Sequence, residues 1–272
     1  MSKTSSAIAT PIIQRDYVLK HFPTTVSSTY NSVDFIIGFA TEDYNQNGEG
    51  KGDFHSTWDL ATFSPEKVKE LKKSYPDVRV VISIGGYIGT YSPFNPIEKK
   101  DVWISTAVYS LKKIIHIYDD KYHRNMIDGI DIHYGNVKSD DFSYCIGEVI
   151  KSLKTDPQLT IKVVSITAGE YTQSDYLKLY VENQEYIDIV QYLFTNWRYC
   201  KEDLLDFYNK LIAWYTPAQV LPGYLNPSFS GDKAKETVMY LVKQYLAPGF
   251  FTYPSYDSPS PFSSEEDASK NI

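Results

Sequence analysis

Short apolar segments alternate with amphipathic segments along most of the chain. The apolar segments are four to seven residues long and rich in Val, Ile and Phe, which is typical of strands buried on both faces of a parallel sheet. The predicted strands are residues 12–18, 35–39, 78–84, 127–133, 161–166, 187–192, 220–223 and 249–253. Eight strands in this alternation predict an α/β protein with a single (β/α)8 (TIM) barrel.

Helical periodicity fills most of the intervals between these strands. Ser64, Pro65 and Glu66 combine an N-cap residue, a proline at the first helical position and an early acid, which indicates a helix start. The predicted helices are residues 65–73, 101–118, 140–153, 174–181, 201–214 and 233–246. The glycine-containing stretch 48–52 is interpreted as a flexible surface loop.

The two ends of the chain lack this alternation. Residues 1–10 are predicted to be a flexible N-terminus, and residues 11–253 to form the barrel. Residues 254–272 are rich in Ser, Pro, Asp and Glu, which predicts a poorly structured tail and a short or missing eighth helix.

Composition excludes several functional classes. The chain has 272 residues, 42% hydrophobic residues and a net charge of −7, so we expect one packed domain and no nucleic-acid partner. No apolar stretch is long enough to span a membrane or to serve as a secretory signal. With two cysteines and no Asn-x-Ser/Thr acceptor, we expect a cytoplasmic location; the alternative is a secretory or vacuolar one after removal of a leader.

Two motifs carry the candidate chemistry. The predicted strand 78–84 continues into Gly85 and Gly86 as Ser-Ile-Gly-Gly, and residues 127–136 read Ile-Asp-Gly-Ile-Asp-Ile-His-Tyr-Gly-Asn. Together they resemble the glycoside hydrolases of family 18, the chitinases, whose signature is Asp-x-x-Asp-x-Asp-x-Glu. Asp128 and Asp131 match, whereas His133 takes the place of the third acid and Gly135 that of the catalytic glutamate.

The resemblance covers nearly the whole predicted barrel and is greatest for the narbonin-like plant branch of the family. It extends over residues 35–40, 65–69, 81–86 and 127–134, and more weakly over 220–223 and 248–251. It implies a site that uses the substrate's own N-acetyl oxygen and depends on one glutamate as general acid. Glycine provides no proton, and loss of a general acid costs roughly 10²–10⁴ in rate.

Three sets of nearby side chains are candidates to replace the missing acid. His133 titrates near neutral pH in water, but it lies one position below the donor in a crowded interior. Asp140, Asp141 and Glu148 fall on the following loop and helix, where capping and solvated roles are expected. Asp128 and Asp131 lie on opposite faces of a strand, so we favour a structural role for this pair over catalysis.

A vestigial sugar cleft is predicted from the same resemblance. Its candidate binding residues are Ser83, Gly85, Gly86, Tyr134, Gln191, Tyr192, Thr252 and Tyr253. Thr252 is expected where family members place a tryptophan platform, with Tyr253 as the substitute if the register shifts by one. The histidines and cysteines show no metal-ligand spacing, so neither a metal nor a cofactor is expected.

The sequence therefore predicts a catalytically inactive chitinase-like barrel. The resemblance implies a storage role or association with another protein, as for a related protein found with RuBisCO. The alternatives are lectin-like binding of N-acetylglucosamine oligosaccharides without hydrolysis, and a residual or altered glycosidase activity. The expected partners are accordingly another protein or a chitin-type oligosaccharide.

Overall fold

The chain folds as a parallel barrel surrounded by helices. The computed structural model describes residues 6–9, 22, 32–86, 93–119, 125–194, 200–224, 227–244 and 246–252. The strands are β1 (Ser6–Ala9), β2 (Val33–Tyr44), β3 (Gly50–Ser56), β4 (Val78–Gly86), β5 (Gly129–Tyr134), β6 (Val163–Ala168), β7 (Ile189–Phe194), β8 (Val220–Tyr224) and β9 (Gly249–Thr252). The helices are α1 (Pro65–Ser74), α2 (Lys100–Tyr118), α3 (Phe142–Lys154), α4 (Gln173–Asn183), α5 (Lys201–Trp214) and α6 (Pro227–Lys243), with a 3₁₀ turn at Pro217–Gln219.

Eight of these strands close the barrel. The order is β1-β9-β8-β7-β6-β5-β4-β2, all in parallel pairs, and β1 also pairs with β2 to complete the circle. The remaining strand, β3, is antiparallel to the C-terminal part of β2. The (β/α)8 fold predicted from the sequence is thus confirmed.

Each predicted helix corresponds to a helix in the structure, although α6 begins at Pro227, six residues before the predicted start. Ser64 caps α1, where its hydroxyl oxygen accepts the N–H of Lys67 at 3.3 Å. Helix α3 buries Phe142, Ile146 and Val149 at helical spacing against the barrel. Across the described ranges, no helix has the length and apolar character needed to cross a bilayer.

Two sequence predictions differ from the structure. The first strand is Ser6–Ala9, within the segment predicted to be flexible, whereas the predicted strand at residues 12–18 lies outside the described residues. Pairing with both β2 and β9 orders this short segment, and its sequence alone gives no sign of that. The stretch predicted as a surface loop contributes to strand β3 (Gly50–Ser56). The predicted tail, 254–272, and with it the question of an eighth helix, lies outside the described residues.

The barrel interior has an apolar part and a polar part. Its apolar side chains are Ile36, Phe39, Val81, Val163, Leu193, Leu221 and Phe251. Phe251 needs the glycine opposite, because a Cβ on Gly223 would lie 1.9 Å from the Phe251 ring. The polar part comprises Ser83, Asp131, His133, Ser165, Thr167 and Gln191, all buried.

A buried carboxylate outside the barrel attaches β3 to its neighbours. Glu42 accepts the N–H of Gly52 at 2.9 Å, the indole N–H of Trp103 at 2.9 Å, and the hydroxyls of Tyr44 and Tyr134, each at 3.2 Å. Burial raises the pKa of Glu42, and its hydrogen-bond donors oppose that shift. This one side chain therefore joins the β2–β3 hairpin to α2 and β5.

We expect Glu42→Ala to lower the free energy of unfolding by about 3–5 kcal/mol, because buried donors on several elements lose their acceptor. Denaturant titration measures this. The matched control is Asp43→Ala at the next residue, whose side chain is 61% exposed and should change stability by less than about 0.5 kcal/mol. Equal effects of the two substitutions would contradict the assigned role of Glu42.

Candidate functional site

The sequence motifs meet at the C-terminal ends of adjacent strands, where barrel enzymes place their active sites. Strand β4 carries Ser83 and Gly85 directly beside Asp131 and His133 on β5, with Ser83 paired to Asp131 and Gly85 to His133. Gly135 follows β5 immediately. Alternation of side chains puts Asp131, His133 and Gly135 on the inward face.

Asp131 is the centre of the polar interior. Its carboxylate accepts hydrogen bonds from the hydroxyls of Ser83 at 2.6 Å, Ser165 at 2.8 Å and Thr167 at 2.9 Å. Burial raises its pKa to about 6, and the three hydroxyl donors limit that rise. These contacts link β4, β5 and β6 through one carboxylate, so Asp131 has a structural role in the barrel.

His133 is buried and electrically neutral at physiological pH. Removal from water lowers its pKa to about 3, because the charged imidazolium loses its hydration. Its ring lies edge-on to Phe39, with 5.5 Å between the ring centroids. A neutral imidazole with this pKa cannot act as a general acid near pH 7.

A close backbone contact requires glycine at position 85 of β4. Gly85 has a φ of +114°, and a Cβ there would lie 2.6 Å from the carbonyl oxygen of His133. The carbonyl oxygen of Gly86 accepts the N–H of Gly135 at 3.0 Å. Gly85 thus allows β4 to approach β5 closely at the mouth of the barrel.

A cavity of about 20 Å³ lies beside Gly135. Its lining includes His133, Gly135, Thr167, Glu170, Tyr171 and Leu193. This volume holds about one water molecule. Of the lining residues, Glu170 carries a carboxyl group, and it is solvent-exposed on the loop after β6.

Two residues predicted to line the cleft point the other way. Tyr134 is fully buried on the outer face of β5, packed against Phe94 and Phe142. Tyr192 is also on the outer face, where its hydroxyl donates to Gln173 of α4 at 3.2 Å. Their neighbours in sequence occupy the inward positions, so the side chains of Tyr134 and Tyr192 lie on the outer face of the barrel, although Tyr134 still belongs to the lining of the small cavity.

The remaining predicted binding residues are only partly located. Gln191 faces inward, with its amide oxygen 3.0 Å from the Thr167 hydroxyl and its amide nitrogen without a partner among the described residues. Exchanging the two amide atoms would let the nitrogen donate to Thr167. Thr252 ends β9, and Tyr253 lies outside the described residues. On this strand the inward aromatic side chain is Phe251.

Asp128 lies away from the cleft. Its carboxylate accepts from Lys72 at 2.5 Å, from Lys162 at 3.0 Å and from the N–H of Val80 at 2.9 Å. These contacts fit the structural role favoured by the sequence. Asp141 pairs with Lys100 at 2.6 Å beside α3, where a capping or surface role was expected.

Sequence reasoning missed the residues that complete the interior. Ser165 and Thr167 alternate on β6 and could have been recognised as inward hydroxyls facing the Asp131 strand. Leu193 lines the small cavity without any motif to indicate it. No cluster of three or more His, Cys, Asp or Glu residues suited to a metal occurs within the described part of the chain.

Comparison with known proteins identifies this framework. The model of the family described as "Glycosyl hydrolases family 18" matches residues 24–249. Chitinase 1 of Tulipa saxatilis subsp. bakeri is 29% identical over 236 residues, which cover 82% of this chain and 73% of the tulip protein. The RuBisCO-associated protein of Glycine max is 30% identical over 159 residues, which cover 56% of this chain and 53% of the soybean protein.

A solved structure agrees with these sequence matches. The catalytic domain of a family 18 chitinase from the fern Peteris ryukyuensis superimposes with a TM-score of 0.80 at 25% identity, covering 97% of this chain and 98% of the fern domain. The closed parallel barrel and the polar residues at its C-terminal mouth are consistent with both comparisons. The chain belongs to glycosyl hydrolase family 18 and is a plant chitinase-like protein.

Proposed function

We propose that this protein is a family 18 barrel that does not hydrolyse glycosidic bonds. The observation that carries the proposal is Gly135, which directly follows β5 at the inward position where the family signature has its glutamate. A sugar alkoxide is a poor leaving group, so bond cleavage depends on a protonated side chain at that point. Glycine has no side chain to provide the proton.

The nearby titratable groups do not replace the glutamate. His133 is held neutral by burial, with a pKa of about 3. The Asp131 carboxylate already accepts three hydroxyl hydrogen bonds deep in the barrel. Glu170 is on an exposed loop beyond the strand ends rather than on the inward face of β5.

The size of the cavity beside Gly135 also supports this proposal. Ligand sites have volumes of roughly 300–1,000 Å³, whereas the cavity here is about 20 Å³. Leu193 and His133 occupy the interior next to it. Within the part of the chain that the structure describes, a sugar ring does not fit in this cavity without displacing side chains.

The similarity to the soybean relative supports a role in protein association. That protein is described as RuBisCO-associated, and it is 30% identical to this chain over 159 residues. We propose that this chain, too, acts through binding to another protein rather than through catalysis. A storage role gains less support, since Asn, Gln and Arg are not enriched in the composition.

A second candidate is binding of chitin oligosaccharides without cleavage. Tyr171 favours it, because this side chain is 79% exposed at the edge of the cavity beside Gly135. Exposed aromatic rings are surfaces on which sugars can stack. Human YKL-39, which shares the fold, is described as a pseudo-chitinase with retained chitooligosaccharide binding.

We expect no release of chromophore from a chromogenic chitobioside by the wild-type protein, with an active plant family 18 chitinase as the positive control. Gly135→Glu alone should remain roughly a hundredfold or more below that enzyme. The reason is that neutral His133 still occupies the position of the third acid, so the new glutamate lacks its acidic neighbour. His133→Asp combined with Gly135→Glu should exceed either single variant. Turnover by the wild type that disappears in Glu170→Gln would overturn the proposal.

The neutrality of His133 has a measurable pH signature. Because its pKa is about 3 when folded and 6.5 in the unfolded chain, the unfolded state binds an extra proton between these values, and stability is lost as pH falls below 6.5. Between pH 7 and pH 5 the wild type should lose about 2 kcal/mol more unfolding free energy than His133→Gln. Urea titrations at the two pH values test this. The control is His55→Gln, at a side chain 55% exposed, which should lose as much unfolding free energy between pH 7 and pH 5 as the wild type does. The same loss in the wild type, His133→Gln and His55→Gln would contradict a neutral, buried His133.

For the sugar-binding candidate, we expect Tyr171→Ala to weaken the affinity for chitotetraose about three- to tenfold, as loss of an aromatic contact does. Isothermal titration calorimetry measures it. Tyr109→Ala is the control, since Tyr109 is 62% exposed on α2 away from the barrel mouth. The candidate is rejected if the wild type shows no heat of binding at millimolar chitotetraose, or if both variants bind as the wild type does.

A further inference from the structure

A second and much larger cavity lies outside the barrel, between β7 and the N-terminal ends of α4 and α5. Its volume is about 510 Å³, within the range of roughly 300–1,000 Å³ that ligand sites occupy. The lining comprises Glu170, Gln173, Tyr192, Leu193, Phe194, Asp203, Leu204, Asp206, Phe207 and Lys210. It lies mainly on the outer face of β7, and it adjoins the small cavity beside Gly135, because Glu170 and Leu193 line both.

Three aromatic rings form one wall of this cavity. Phe207 lies 5.1 Å from Tyr192 and 6.3 Å from Phe194, measured between ring centroids, and Tyr192 and Phe194 are 6.2 Å apart. Tyr192 and Phe194 are almost fully buried, whereas Phe207 is half-buried at the edge. The negative face of an aromatic ring attracts a cation within about 6 Å.

The charged side chains of the rim are mostly acidic. The lining has three carboxylates, those of Glu170, Asp203 and Asp206, and one ammonium group, that of Lys210. Its formal charge is therefore −2. Asp203 is engaged at the start of α5, where it accepts the N–H of Cys200 at 3.1 Å. Asp206 lies three residues further along the same face of α5, and the structure shows no hydrogen bond or ion pair to its carboxylate among the described residues.

We propose that this cavity binds an organic cation, an ammonium or guanidinium group carried on an apolar body. The apolar body packs on Phe207 and Tyr192, and the charged group lies at the rim next to Asp206. Lys210 opposes the cation and keeps the site from being purely acidic. This binding requires neither hydrolysis nor sugar recognition, so it stands independently of the function proposed for the barrel mouth.

Two kinds of ligand carry such a cationic group: a free amine and the basic side chain of a peptide. Phenethylamine represents the first and the capped peptide acetyl-Gly-Arg-Gly-amide the second. Two analogues of phenethylamine with nearly the same shape isolate the charge: 2-phenylethanol is neutral, and 3-phenylpropionate is an anion. Whichever cation binds more tightly identifies the source.

Isothermal titration calorimetry of the full-length protein at low ionic strength is the test. Phenethylamine or the peptide should bind at least about fivefold more tightly than 2-phenylethanol, with 3-phenylpropionate weakest, because surface charge and cation–π terms add to about this factor. Added salt should reduce the difference.

Variants of α5 should act in opposite directions, which a general loss of folding cannot mimic. Asp206→Asn and Phe207→Leu should each weaken cation binding about threefold or more, while Lys210→Gln should strengthen it. Asp77→Asn, an exposed acid in the turn before β4, is the matched control and should bind as the wild type does. Equal affinity for phenethylamine and 2-phenylethanol, no binding of either cation at millimolar concentration, or weaker binding in Lys210→Gln would overturn the proposal.

Discussion

The Asp131 carboxylate is the interaction on which the upper barrel depends. It lies at the inside of β5, fully buried, and hydroxyls from β4 and β6 donate to it at 2.6–2.9 Å. A buried carboxylate without donors would be strongly destabilising, so Ser83, Ser165 and Thr167 have a structural reason to be where they are. The polar interior of this family 18 barrel therefore also stabilises the fold.

Much of the architecture could be read from periodicity. The alternation of apolar strands and amphipathic helices predicted the barrel, and the bounds of α5 (Lys201–Trp214) coincide with the predicted ones. Strand β3 was missed because its start, with Gly50 and Gly52, looks like a loop, and its order comes from pairing with β2 and from Glu42. The pairing with β2 is a local hairpin, but Glu42 also accepts hydrogen bonds from Trp103 and Tyr134, which are distant in sequence, and no local pattern indicates those contacts.

For the site residues, too, local periodicity was predictable from the sequence, whereas contacts between distant strands were not. Asp131, His133 and Gly135 were placed correctly on the inward face by the period of a strand. Tyr134 and Tyr192 were assigned to the cleft from the family resemblance, although the same period places their side chains on the outer face. The small volume beside Gly135 and the low pKa of His133 depend on Leu193, Phe39 and complete burial, which arise only when distant strands meet.

The protein has the framework of family 18, and the proposal that it does not hydrolyse glycosidic bonds rests on Gly135. The two proposed binding surfaces lie at the barrel mouth and in the adjoining larger cavity between β7, α4 and α5. The most direct measurement is mass spectrometry of chitohexaose after prolonged incubation with a high concentration of the purified protein, alongside an active plant family 18 chitinase. The account predicts intact hexamer with the protein and shorter oligomers with the control. Shorter oligomers produced by the protein at a rate comparable to the control would contradict it.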